Sequence, residues 1–188
     1  PGAPGQNAAP LAARHDLLGA NRALLESEVE PLPESWAAMA ELGWMGLHLP
    51  EAHGGSGFGL GELVGVIEEL GRSVAPGPFV PSAIASAVID AAGADEQRAA
   101  LLPGLADGSV VGAVALGGAV DTADGRASGD AGVVIGAGLA DLVLVVAGAD
   151  VAVVDLSGDG VKVEVPPNLE PSRRAGKVLL DGAPAQLL

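Results

Sequence analysis

The sequence predicts an α+β chain, an all-α first half followed by an all-β second half. Up to about Ser109, apolar residues recur at helical spacing. Beyond it, short β-branched runs separated by Gly, Asp or Pro take over. No helix-length pattern lies between those runs, which argues against parallel βαβ units and for an antiparallel barrel or sandwich. There is no internal repeat.

In order along the chain, PGAPGQNAAP (1–10) reads as a flexible leader, lacking the basic and apolar regions of a signal peptide. Residues 11–109 read as the helical domain and 110–188 as the β domain. Leu17, Leu18, Leu24, Leu25 and Val29 predict a first helix, closed by Pro31 and Pro33. Pro33-Glu34-Ser35 opens a second through Trp36, Met39, Ala40 and Leu42. Gly43 suits the stop of that helix, and Met45 to Leu49 is expected to be a short extended piece. Pro50, Gly54, Gly55 and Gly57 then turn the chain before a third helix from about Leu60 to Leu70, with Leu63, Val64, Ile67 and Leu70 on one face. Pro76, Pro78 and Pro81 mark a bend, and Ser82 to Ala92 reads as a fourth helix. Asp95 is the expected N-cap of a short fifth, running through Leu101 and broken at Pro103. Strands are expected at 110–116, 132–136, 141–148, 151–156, 160–166 and 177–182.

Composition narrows the function. Hydrophobic content is 49%, but the chain has two Trp, two Phe and no Tyr, so its cores are built from small aliphatic contacts. A formal charge of −15 argues against a nucleic-acid surface or an anionic membrane, since both need clustered Lys and Arg. The absence of cysteine excludes disulfides, thiolate metal sites and thiol nucleophiles, and fits a cytoplasmic protein. Asp141, Asp150 and Asp155 interrupt the most apolar stretch, 133–156. Each such charge would cost about 2.5–3.5 kcal/mol in a membrane, so the stretch reads as a soluble core.

The string ELGWMGLHLPEAHGGSG (41–57) resembles a signature near the N-terminus of acyl-CoA dehydrogenases, "lG…gi.iPeeyGGsG". Further strings agree with that family in order: VIEELGRSVAPGP, GADEQRAALLPGLADGS, GAVAL, GAGLADLVLVV and KVLLDGAPAQLL. The resemblance covers most of the chain. It implies an N-terminal helical domain and a middle β domain, without the C-terminal four-helix domain that would follow. It also implies flavin-dependent α,β-dehydrogenation of acyl-CoA thioesters with FAD as cofactor.

The flavin motifs depart from the family pattern. Gly117, Gly118 and Ala119 stand where a Thr-Glu-Pro loop would contact flavin and substrate, and only Asp124 falls where that loop's terminal Asp would. In ASGDAGVVIGAGLAD, Ala131 replaces a Lys, Val133 the aromatic residue beside the flavin ring, Ile135 a Thr and Gly136 an Asn. A flavin needs donors aimed at its ring and a face to stack on. The expected cofactor positions, Gly117, Gly118, Ala119, Val133 and Ile135, supply neither. No residue corresponds to the family's catalytic carboxylate, which belongs to the C-terminal domain. The resemblance therefore implies a degenerate subunit beside a homologous flavin-bearing partner, with acyl-CoA bound by the assembly, as in dehydrogenases for bulky, sterol-derived thioesters. A non-catalytic scaffold on the same fold, or a fragment of a longer enzyme, stand as alternatives.

Other candidates carry bland readings. His48 and His53 flank the Pro-Glu turn, but a zinc site needs a third ligand, so turn and surface roles are expected and no metal site is assigned. Adjacent Glu68 and Glu69 point about 100° apart on a helix and read as a solvated face. Gly136-Ala137-Gly138 lacks the third glycine and following helix of a dinucleotide fingerprint. Arg173-Arg174 reads as a surface ion-pairing site, with a CoA or FAD phosphate as the alternative partner.

Overall fold

The computed structural model describes residues 8–188. Six helices come first: α1 (Ala8–Arg14), α2 (Leu17–Leu24), α3 (Ser35–Glu41), α4 (Leu60–Arg72), α5 (Phe79–Ala92) and α6 (Asp95–Ala106). α1 occupies positions 8–10 of the expected leader, whose residues 1–7 lie outside the described residues. α2 starts where Asp16, in a left-handed conformation (φ 41), accepts from the Gly19 N–H with its carboxylate. It ends five residues before the expected Val29. The Ser27 hydroxyl bonds both the N–H and the C=O of Val29 and pulls the chain into a turn.

The joint after α3 differs from the expected extended piece. Gly43 stops α3 at φ 71, and Trp44 N–H reaches back to Met39 O at 3.1 Å. Residues 44–49 then form successive turns, with Leu47 N–H on Trp44 O and Leu49 N–H on Gly46 O. Trp44, Met45, Leu47 and Leu49 are all buried, so turns rather than a strand bury this apolar run. A 3₁₀ turn (Glu51–His53) follows, and the glycines fold back: Ser56 N–H bonds Gly46 O, and Phe58 N–H bonds Leu47 O. A Cβ on Gly55 would lie 2.1 Å from Leu49 O, so this return needs a residue without one.

α4 buries Leu63, Val66 and Leu70, an i, i+3, i+7 stripe; the expected Val64 points outward. α5 begins at Phe79, three residues before the expected start, because Pro81 sits in its first turn where a missing N–H costs nothing. α6 is capped by Ala94 rather than Asp95, with the Ala94 N–H donating to Gln97 Oε1 at 2.8 Å. It also runs through Pro103 instead of breaking there. Burial of Leu102, Leu105 and Ala106 outweighs the one backbone bond that proline forfeits.

Seven strands follow: β1 (Gly112–Ala115), β2 (Ala119–Ala123), β3 (Arg126–Ile135), β4 (Leu142–Ala147), β5 (Asp150–Asp155), β6 (Val161–Glu164) and β7 (Ala175–Leu187). Their order is β1-β4-β5-β7-β3-β2, with β6 also on β7. The sheet is mixed rather than wholly antiparallel, because β1 runs parallel to β4 (Gly112 beside Leu142, Ala115 beside Val145). The β2–β3 hairpin was not expected. It turns on Asp124-Gly125, both at positive φ (50 and 71), the pairing a two-residue hairpin turn demands. β3 and β7 also run longer than expected, β3 with irregular register around Gly129 and Gly132. Val134, Val143, Val145, Val154 and Val178 fill the interior of the curled sheet.

The two halves lock together at β1. Ser82 of α5 is buried; its Oγ accepts from Gly112 N–H at 3.1 Å and donates to Gly112 O at 3.2 Å. Within each half a side chain steadies the crossing segment: Asp141 Oδ2 accepts from Val111 N–H at 2.7 Å, and Trp36 Nε1 donates to Gly108 O at 2.8 Å. A third buried cluster mixes the halves, joining Leu49, Ile89 and Leu102 to Leu144 and Val153.

Two glycine substitutions separate tight from open positions. Gly55→Ala should destabilise by about 2 kcal/mol or more, because its Cβ meets backbone. Gly65→Ala should stabilise by about 0.5–1 kcal/mol, since nothing lies within 4 Å of its Cβ on α4. Urea unfolding of both variants checks the opposite signs.

Candidate functional site

The residues between α4, α5 and the near face of the sheet enclose a cleft of about 400 Å³. Ile67, Leu70 and Gly71 of α4 line one side, and Phe79, Val80, Pro81 and Ile84 of α5 line another. Val114, Leu116 and Gly117 come from β1 and the turn after it, Val133 and Ile135 from β3. Strand alternation explains the β3 wall: Val134 points into the sheet core and is fully buried, so its neighbours Val133 (73% exposed) and Ile135 (56%) face the cleft.

The structure therefore brings three of the five expected cofactor positions, Gly117, Val133 and Ile135, to one cleft. The other two do not line it. Ala119 is the first residue of β2, paired with Asp130. Gly118 is pressed onto β3, where a Cβ would lie 2.2 Å from Asp130 O. Ala131, expected at the position of a family Lys, is buried in the sheet core. Asp124 sits at the hairpin tip, at the far end of β2. The Asp-Gly pair was the sequence signal for that hairpin. None of the five side chains can donate a hydrogen bond, and the Gly117–Ala119 segment closes against β3 instead of opening as a loop. Their side chains therefore offer the ring of a flavin no donor.

Arg173 and Arg174 do not form the expected surface ion pairs; among the described residues neither enters one. Arg174 spends its guanidinium on backbone carbonyls: Glu28 O at 2.6 Å, Ser27 O at 2.5 Å and Pro171 O at 3.2 Å. Its backbone N–H donates to Glu30 Oε2 at 3.1 Å, yet burial pushes the Glu30 carboxyl above its ordinary value. Arg173 instead donates from Nη2 to Ala75 O at 2.9 Å and lines the cleft. Sequence reasoning did not separate these roles, because all the partners but Pro171 lie some hundred residues away or more. Glu68 and Glu69 form the expected solvated face, both pairing with Arg72.

Among the described residues, no cluster of His, Asp and Glu could hold a metal ion, and no helix is long and apolar enough to cross a membrane. His48 is half-buried rather than on the surface, with Nε2 3.1 Å from Ser86 Oγ. Ser86 Oγ also donates to Ala83 O at 3.1 Å. Hydrogen-bond accounting then puts the ring proton on Nε2, donating to Ser86, and leaves Nδ1 as a buried acceptor without a partner. A second proton on Nδ1 would find no acceptor. Burial accordingly holds the His48 pKa below its ordinary 6.5, against a smaller opposing pull from Asp90.

Residues 7–109, more than half of the chain, match the family described as "Acyl-CoA dehydrogenase, N-terminal domain". The chain belongs to the acyl-CoA dehydrogenase family. Acyl-CoA dehydrogenase FadE12 of Mycobacterium tuberculosis is 40% identical over 89 residues, which are 46% of this chain and 23% of that protein. Acyl-CoA dehydrogenase FadE34 of the same organism is 32% identical over 155 residues, 81% of this chain and 21% of that protein. Among solved structures, a "Tcur3481-Tcur3483 steroid ACAD G363A variant" matches at 33% identity and TM-score 0.86, covering 98% of this chain and 55% of that one. The ChsE4-ChsE5 complex of Mycobacterium tuberculosis matches at 26% identity and TM-score 0.84, covering 96% and 53%. The chain spans about a fifth of these curated relatives' length and about half of these structures.

The His48 geometry sets a pH dependence. Well above pH 6.5 the ring is neutral in both the folded and unfolded states and no stability is at stake. As pH falls below 6.5 the unfolded chain binds a proton that the folded chain resists, so stability falls. Denaturant titrations between pH 7.5 and 5.5 should show this decline. Its slope lies below the one-proton ceiling of about 1.4 kcal/mol per pH unit, because the ring is half-exposed. His48→Gln should remove that part of the slope.

Proposed function

We propose that this chain supplies the helical and β scaffold of a two-component acyl-CoA dehydrogenase, in which a homologous partner subunit holds the FAD. The reaction of that assembly is α,β-dehydrogenation of a bulky acyl-CoA thioester. One observation carries the reading. The β3 face to which the resemblance assigns the flavin presents Val133 and Ile135, beside Gly117, with no side-chain donor among them. Two comparisons support it: a solved relative described as a steroid dehydrogenase is named for two components, and another is a complex of two. The retained fold then serves to complete the partner's site and to enclose the acyl group.

The visible spectrum of the purified polypeptide is the test. The account expects a colourless protein, with flavin and dehydrogenase activity appearing when a homologous subunit is co-expressed. A stoichiometric flavin band from this polypeptide alone would sink the proposal. Inactivity in every such complex would favour a non-catalytic scaffold on the same fold.

A further inference from the structure

The cleft beside β3 carries a single charge in an otherwise apolar lining, and we infer that it binds a monoanionic amphiphile. The ligand's apolar body packs against Leu116, Val133, Ile135 and Ile84, and its carboxylate meets Arg173. This rests on the reading that the chain holds no flavin of its own.

The apolar part follows from exposure. Leu116 is 80% exposed, Val133 73%, Ile135 56% and Ile84 43%, and all line the same cleft. A contiguous apolar surface of this kind marks a binding site more often than an accident of folding. The volume, about 400 Å³, lies within the range of small-molecule sites.

The charge selects the head group. Among the described residues, Arg173 is the only charged one lining the cleft. Its bond to Ala75 O, another lining residue, holds the guanidinium at the cleft, and it enters no ion pair among the described residues. Glu170 senses its charge, but that carboxylate accepts from the Ser172 N–H and hydroxyl. A polyphosphate is disfavoured on two grounds. The chain's formal charge is −15, and the neighbouring Arg174 is committed to backbone carbonyls. One cation in an acidic molecule suits one carboxylate.

Equilibrium dialysis tests this with lithocholate and palmitate, each beside its uncharged methyl ester and below its aggregation threshold. Saturable binding of one acid at a single site is expected, about tenfold or more tighter than its ester. The acid that binds more tightly identifies the body as fused ring or chain. Arg173→Gln should erase the preference for acid over ester. Val133→Glu, at an exposed strand position that leaves the fold intact, should abolish binding of both. Absence of saturable binding, equal affinity for acid and ester, or an Arg173→Gln protein that keeps the preference would each overturn the inference. A yellow preparation would defeat the flavin-free reading. A colourless one that binds neither acid would defeat only the inference made here.

Discussion

β1 is an edge strand of four residues, and an unpaired edge is a liability unless something satisfies it. Here the Ser82 hydroxyl of α5 does so, taking the N–H and the C=O of Gly112 at once. The approach is possible because Gly112 has no side chain: a Cβ there would lie 2.7 Å from Ala85 Cβ. One hydroxyl and one missing methyl group thus bring helix and sheet into contact. The mixed core of Leu49, Ile89, Leu102 and Leu144 closes behind them.

The site depends on that lock. With β1 held against α5, Val114 and Leu116 face the same space as Val80 and Ile84, and α4 and β3 supply the remaining walls. The inner face of β3 keeps Val134 and Ala131 in the core, so the scaffold tolerates changes on the outer face, at Val133 and Ile135, without losing packing. This alternation separates the residues that hold the scaffold from those that line the cleft. Packing constrains one face of the strand and leaves the other open to the cleft.

Much of this was legible in the sequence, for local reasons. The change from helical spacing to β-branched runs near Ser109 reported the order of elements, and the ordered strings reported the family. Non-local facts were not legible. The parallel pairing of β1 with β4 is decided by strands some thirty residues apart, with the β2–β3 hairpin between them. Arg174 is committed to carbonyls of residues 27 and 28, which no spacing rule reveals. Pro103 was misleading because propensity yields to the burial of Leu102 and Leu105. The Asp124-Gly125 hairpin was legible, but aligning Asp124 to a family loop obscured it. At the cleft, residue identities alone disclosed that the side chains of Val133 and Ile135 carry no donor, whereas the inward turn of Gly118 and the position of Arg173 required the fold.

Hydrogen exchange at β1 tests the lock most directly. The account predicts that amides of α5 and of β1 with β4 are protected as one unit. Ser82→Ala should accelerate both together while sparing the Asp124-Gly125 hairpin. Independent exchange of α5 and β1, or a Ser82→Ala protein with unchanged protection in both, would contradict it.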